Sequence, residues 1–202
     1  MNIVKNIRQA LLTLPILLIT TALQAEVVCK SGNENTAIRA TTPTEDFTDN
    51  GDGTVLHKTT GLTWMRCALG RVWDGSGCSP TNPRYVWHEA LELTSALNSG
   101  ESDIDGDGAP GFVGHTDWRM PNTKELESIF EERCWNPAVN AAIFPGMGLT
   151  EWYASSTTHS RYSHYVWYVD FDRGFVWYAE KYLIGFEDVK HRYYVRLVRG
   201  GL

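Results

Sequence analysis

Apolar and polar positions alternate in different rhythms along this chain, and each rhythm predicts an element. The first is a largely apolar run from Ala10 to Leu23, preceded by Lys5 and Arg8 with no acid and followed by the small Ala25. Basic start, apolar middle and small exit residue make a secretory signal. The run covers 14 positions and contains Pro15, which falls short of the roughly 20 apolar residues a membrane-spanning helix needs. Residues 1–25 therefore read as a cleaved signal peptide, 26–45 as a polar, irregular N-terminal extension and 46–202 as the domain.

Within the domain, Asp49 to Trp64 reads as two short strands, with turns at Asp52-Gly53 and Thr60-Gly61, where glycine accepts the positive φ of a tight turn. Tyr85 to Asn98 switches to a helical period: Trp87, Ala90, Leu91, Thr94 and Leu97 recur at three- and four-residue spacing and share one face. Asn98-Ser99-Gly100 stops that helix. A second helix restarts at Asn122, a good N-cap, with Glu125 completing a capping box and Leu126, Ile129 and Phe130 as its buried stripe. From Trp152 onward the pattern is that of strands. Residues 165–181 form a hairpin candidate turning at Asp172-Arg173-Gly174, and Arg192 to Gly200 a terminal strand. Two helices followed by an antiparallel sheet predict an α+β domain.

Composition sharpens this picture. The 202 residues suffice for one domain. The net charge of -6 excludes the basic footprint of a general nucleic-acid binder. Loss of the signal takes Lys5 and Arg8 with it, leaving 16 basic against 24 acidic side chains. Residues 151–202 hold 7 basic and 6 acidic groups, so the acidity lies earlier in the chain.

Export gives the four cysteines an oxidising destination, where an even number signals disulfides. Cys67 and Cys78 bracket a glycine-rich segment that can turn back on itself, and Cys29–Cys134 follows by elimination. No CxxC and no histidine cluster near them supports zinc.

Aromatic residues are abundant, at 12% with eight Trp and nine Tyr. Trp64, Trp87 and Trp118 fall in segments that read as core, whereas eight of the nine Tyr lie after residue 152. Side chains alternate across a strand, so Tyr165, Trp167, Val169 and Phe171 share one side of the hairpin and Tyr168 and Asp170 the other. The expectation is that one side packs in the core and the other displays Tyr, Asp and His to solvent. Tyr162, His164, Tyr165, Trp167, Tyr168, Asp170, Trp177 and Tyr178 are the candidate ligand-binding residues, because such rings stack on sugars and peptides while their polar tips hydrogen-bond.

A second candidate is the loop around Asp103, Asp105 and Asp107. Alternate carboxylates followed by glycine copy the first half of an EF-hand loop, and calcium is the cofactor such a loop would take. The closing position, which an EF-hand fills with Glu, is Gly114. No GxSxG, HExxH or Cys/His signature marks an active site, so the chain reads as a binding protein rather than an enzyme.

Several segments occur together in a recognisable order: FTDNGDGTVLHKTTGLTWMRC, WHEAL, DWRMPNTKEL, Phe144-Pro145, WYASS and VRLVRGG. In this the chain resembles the Legionella collagen-like protein C-terminal domain family, over roughly Asp46 to Gly201. That family is similar to the C-type-lectin-like superfamily, which implies termini paired in a sheet, two helices and a loop region supporting a ligand face. The resemblance also implies an adhesin-like role on a glycan or cell-surface macromolecule, and a homo-oligomer. This chain differs in lacking collagen-like repeats and in being acidic. A structural subunit of a surface appendage or envelope assembly is the alternative role, and a hydrolase the last.

Overall fold

A computed structural model describes residues 26–81, 83–148, 151–181 and 192–201. The signal peptide of the sequence reading and Tyr182 lie outside the described residues. The strands are β1 (Phe47–Asp49), β2 (Thr54–His57), β3 (Leu62–Met65), β4 (Trp152–Thr158), β5 (Tyr165–Asp170), β6 (Phe175–Glu180) and β7 (Val198–Gly200), and the helices are α1 (Trp87–Ser99) and α2 (Thr123–Glu127). They make two antiparallel sheets, ordered β1-β2-β3-β7 and β4-β5-β6. The α+β class holds, but the antiparallel sheet expected of the second half loses its terminal strand to the sheet formed by β1, β2 and β3. The terminal strand does not join the hairpin; β7 crosses back to pair Val198 with Trp64 and Gly200 with Leu62. Strand periodicity identifies strands and says nothing of such distant partners.

Both glycine turns form: Gly53 and Gly61 take φ of 88° and 69°. Asp52 Oδ1 accepts from Thr54 N at 2.9 Å, and Asp49 ion-pairs with Arg66 at 2.6 Å, so the DNGDG carboxylates serve the turn and the sheet. Helix α1 buries Ala90, Thr94 and Leu97 as expected. Leu91, however, is exposed, and the half-buried Leu93 packs on the core instead. The inward stripe is rotated slightly from the sequence face because Trp87 lies only partly buried at its edge. Gly100 ends the helix at φ 82°, where a Cβ would stand 2.9 Å from Pro110.

Helix α2 is far shorter than its apolar spacing predicts. Its capping box is complete, Asn122 Oδ1 accepting from Glu125 N at 2.9 Å and Glu125 Oε2 from Asn122 N at 2.7 Å. Beyond Glu127 the chain turns so that Glu131 can point inward. That fully buried carboxylate accepts from Thr41 N, Thr42 N, Thr42 Oγ1 and Arg133 N. Those donors compensate the buried charge and bind the N-terminal extension to the domain. Leu126 and Ile129 still reach the core, and Phe130 packs partly against it.

Two disulfides join Cys29 to Cys134 and Cys67 to Cys78, as the sequence pairing anticipates. The first closes a separation of 105 residues, a constraint worth about 4 to 5 kcal/mol in loop-closure terms. Among the described residues no helix is long and apolar enough to cross a membrane.

Candidate functional site

Strands β4, β5 and β6 are packed differently at their two ends. At the Asp170 end, Tyr153, Val169 and Phe171 on one face, and Ala154 and Tyr168 on the other, are buried in two core clusters, and Val166 keeps the second face covered at the far end as well. At the opposite end, the first face emerges from the core. Trp167 stands directly across from Tyr178, and Tyr165 from Glu180. Trp167 and Tyr178 meet edge to face at 5.5 Å, and Tyr165 and Tyr178 at 5.4 Å.

The segment between β4 and β5 folds over these rings. His159 stacks on Trp167 at 5.2 Å and on Tyr162 at 5.3 Å, and lies 4.7 Å from Tyr178. Its Nδ1 accepts from the backbone N–H groups of Arg161 and Tyr162, which leaves the ring proton on Nε2. His164 packs beside Tyr165 at 4.5 Å. Tyr162, His164, Tyr165, Trp167 and Tyr178 are thus one contiguous, half-exposed cluster. Its centre, His159, was not among the sequence candidates. The signal in the sequence is its place in the Ser/Tyr/His-rich stretch 155–165, which also holds Tyr162 and His164; only the turn that brings it over Trp167 singles it out.

Three other candidates are placed elsewhere. Trp177 is 55% exposed but projects on the opposite face, across from Tyr168. Tyr168 and Asp170 were expected on a solvent-facing side, and here the expectation is corrected: they are 4% and 1% exposed. Tyr168 stacks on Trp152 at 4.9 Å, and burial raises its hydroxyl pKa. Asp170 accepts from Trp152 Nε1 and from the N–H groups of Asp172 and Arg173, so it shapes the hairpin turn. Both faces of β5 are covered at that end, whereas at the other end only the face of Tyr165 and Trp167 opens and Val166 stays buried, so core and display divide along that one face.

Helix α2 builds one wall of the site. Thr123 N donates to Thr157 Oγ1 at 3.1 Å, and Ser156 N to Pro121 O at 2.8 Å, fixing the helix start to the outer end of β4. Arg119 grips Glu125 at 2.7 and 2.6 Å. Burial opposes the Glu125 charge, but Arg119 and the Asn122 N–H outweigh it, and the carboxyl titrates below its ordinary range. Between this wall and the hairpin lies a hollow of about 640 Å³ lined by Asn122, Lys124, Thr157, Trp167 and Val176. Lys181 follows directly on β6. Its ammonium sits 4.1 Å over Trp87 and donates to Thr158 at 2.8 Å, and desolvation lowers its pKa. The arrangement offers ring faces, hydroxyls and amide groups to a ligand, which suits recognition.

In the acidic loop, Asp103, Asp105 and Asp107 each bring one carboxylate oxygen within 4.8 Å of the others. Asp103 accepts from Gly106 N and Gly108 N, which hold its carboxyl below the ordinary range. Asp107 accepts from Ala109 N and Asp105 Oδ2 from Val113 N, while Asp105 Oδ1 is buried with no hydrogen-bond partner among the described residues. The donor set is of the hard oxygen type that calcium takes.

An α+β, disulfide-stapled domain with an aromatic face is the class these features define. The chain belongs to the Lcl C-terminal domain family, whose model matches residues 53–199. No curated protein matches it.

Proposed function

We propose that this is an exported, non-catalytic binding domain of adhesin type, which recognises a glycan through the cluster of His159, Tyr162, Tyr165, Trp167 and Tyr178. The observation that carries the reading is the placement of these rings. Tyr165, Trp167 and Tyr178 are held by cross-strand pairing and His159 and Tyr162 by stacking over them, yet the cluster is left half-exposed beside a hollow that polar groups of α2 and β4 line. Rigid aromatic platforms with hydrogen-bonding tips are suited to sugar rings, which present apolar faces and hydroxyl edges. The two disulfides fit an oxidising compartment. A C-type-lectin-like architecture is part of this reading, supported by the last strand returning to β3 and by the two helices beside the sheets.

A glycan array followed by calorimetric titration of the mature protein tests it. Trp167→Ala should weaken the bound glycan about tenfold or more, as loss of a central aromatic contact does, with an unchanged circular dichroism spectrum. Absence of glycan binding, together with a stable homo-oligomer that buries the cluster, would favour the structural-subunit role.

The acidic loop supports a second, independent proposal, that calcium binds at Asp103, Asp105 and Asp107. Calcium at about a hundred times its Kd should stabilise the fold by about 2.7 kcal/mol, read as a higher Tm than in chelator. Identical melting in calcium and chelator, for the parent and for Asp105→Ala, removes the site.

A further inference from the structure

The hollow at Trp167 does not end at the aromatic cluster. Helix α2 packs on β4 and β5, which leaves the outer strand β6 to wall a channel beside it. The Trp167 hollow shares Glu127 and Val176 with a second, of about 380 Å³, that runs past Thr41 and Ser128. This second hollow shares Phe130, Glu132 and Gly174 with a third of the same size, which opens at Trp135. The shared lining residues set the three hollows side by side, with the Trp167 indole in the first and the Trp135 indole in the last.

Trp135 is 46% exposed, and its backbone is firmly held. Cys134 beside it is bridged to Cys29, and its own N–H donates to Asn33 O at 3.2 Å. An indole displayed to solvent from a fixed frame loses little conformational entropy on contact with a ligand, a property of good binding platforms.

The charge of this trough of three hollows defines what it accepts. Glu127, Glu132 and Asp172 face it with Lys124 and Arg173, a balance of three carboxylates to two cations, and Lys124 is already paired with Glu127 at 2.6 Å. Among the described residues that line it there is no cationic surplus to draw in a polyanion. Each hollow exceeds about 300 Å³, the lower bound of a small-molecule pocket. A single sugar would occupy one and leave the others to water.

We infer that the trough from Trp167 to Trp135 is an extended subsite series for an uncharged polysaccharide chain, with Trp135 as its distal platform. The inference rests on the glycan reading above, and adds to it the length and neutrality of the ligand.

Affinity electrophoresis of the mature protein in gels containing laminarin, galactomannan, xylan or chondroitin sulfate provides the first test. Oligosaccharides of two to six sugars from the retarding polymer are then titrated calorimetrically. A neutral polymer should retard the protein, and affinity should rise about tenfold or more from the disaccharide to the hexasaccharide. Trp135→Ala should abolish that rise while leaving the disaccharide Kd unchanged, whereas Trp167→Ala should weaken both. Trp135→Tyr, which keeps a ring, should retain most of the gain, and circular dichroism checks that each variant folds. Hexasaccharide binding unaffected by Trp135→Ala, or retardation by chondroitin sulfate alone, overturns the trough while Trp167-dependent glycan binding stands. Failure of every glycan to bind overturns the glycan reading itself, and the trough with it.

Discussion

Trp64 and Trp177 are the same residue type on strands of similar length, and they have opposite fates. Trp64 lies on β3, flanked by β2 on one side and β7 on the other, with its ring fully buried and edge-on to Phe144 at 6.4 Å. Trp177 lies on β6, the last strand of its sheet, and is more than half exposed. Strand position and the elements laid over the ring decide between core and display; the residue alone does not. The same contrast separates Trp118, buried with its indole N–H on Phe112 O at 3.1 Å, from Trp167, half-buried at the mouth of a hollow.

Truncation is the most severe way to break this comparison. Trp64→Ala should cost about 3 to 5 kcal/mol, the sum of lost burial and a cavity that the flanking strands cannot close. Trp177→Ala should stay within about 0.5 kcal/mol. Chemical denaturation of both variants measures the difference. Similar midpoints for the two would mean that exposure on β6 is not what separates them.

A smaller effect should follow from Asn122→Ala, because that side chain caps the helix that walls the site. The lost cap is worth about 1 kcal/mol. The consequence for the displayed region should exceed that for the core, since α2 is fixed to β4 through Thr123 and Thr157 next to Trp167. Faster hydrogen exchange at 122–127 than at β3 would show it, and equal acceleration in both places would make the cap a global feature.

The sequence carried the local half of this architecture. Turn chemistry at Gly53, Gly61 and Gly174, the cap at Asn122 and the stop at Gly100 all depend on a few adjacent residues, and each is legible. Both cysteine pairings are legible too, because two cysteines enclose a turn and only two others remain. What the local pattern could not supply depends on distant partners. The pairing of β7 with β3 joins positions more than a hundred residues apart, and only the paired termini implied by the family resemblance anticipated it. The early end of α2 follows from Glu131 turning inward to meet Thr41 and Thr42, whereas the Leu126, Ile129, Phe130 spacing continues the helical period. At the candidate site, alternation along β5 sorted the side chains correctly into two faces. It could not reveal that both faces are covered near Asp170 and that one opens near Trp167. Likewise Trp135 and His159 carry no local pattern, and only the disulfide frame of one and the turn of the other bring them to the surface that matters.

The finest test of the contrast uses a titratable ring, His57, buried on the same sheet as Trp64. It is 3% exposed, stacks on Phe47 at 4.6 Å, and its Nδ1 lies 3.1 Å from Thr60 Oγ1. Desolvation lowers its pKa, and the nearby Asp46 only partly opposes this. The unfolded chain titrates this group near pH 6.5. Below that pH the unfolded state binds the proton first, so stability is complete above about pH 6.5 and declines as pH falls toward the lowered folded value. Asp103 and Asp117, whose carboxyls are held low by backbone N–H groups and by Arg199 respectively, contribute a separate loss only in more acidic solution. Urea midpoints from about pH 7.5 to about pH 5 should therefore fall for the parent and stay flatter for His57→Gln. Were the two slopes equal, the acid sensitivity would belong to other groups and not to the desolvated ring of His57.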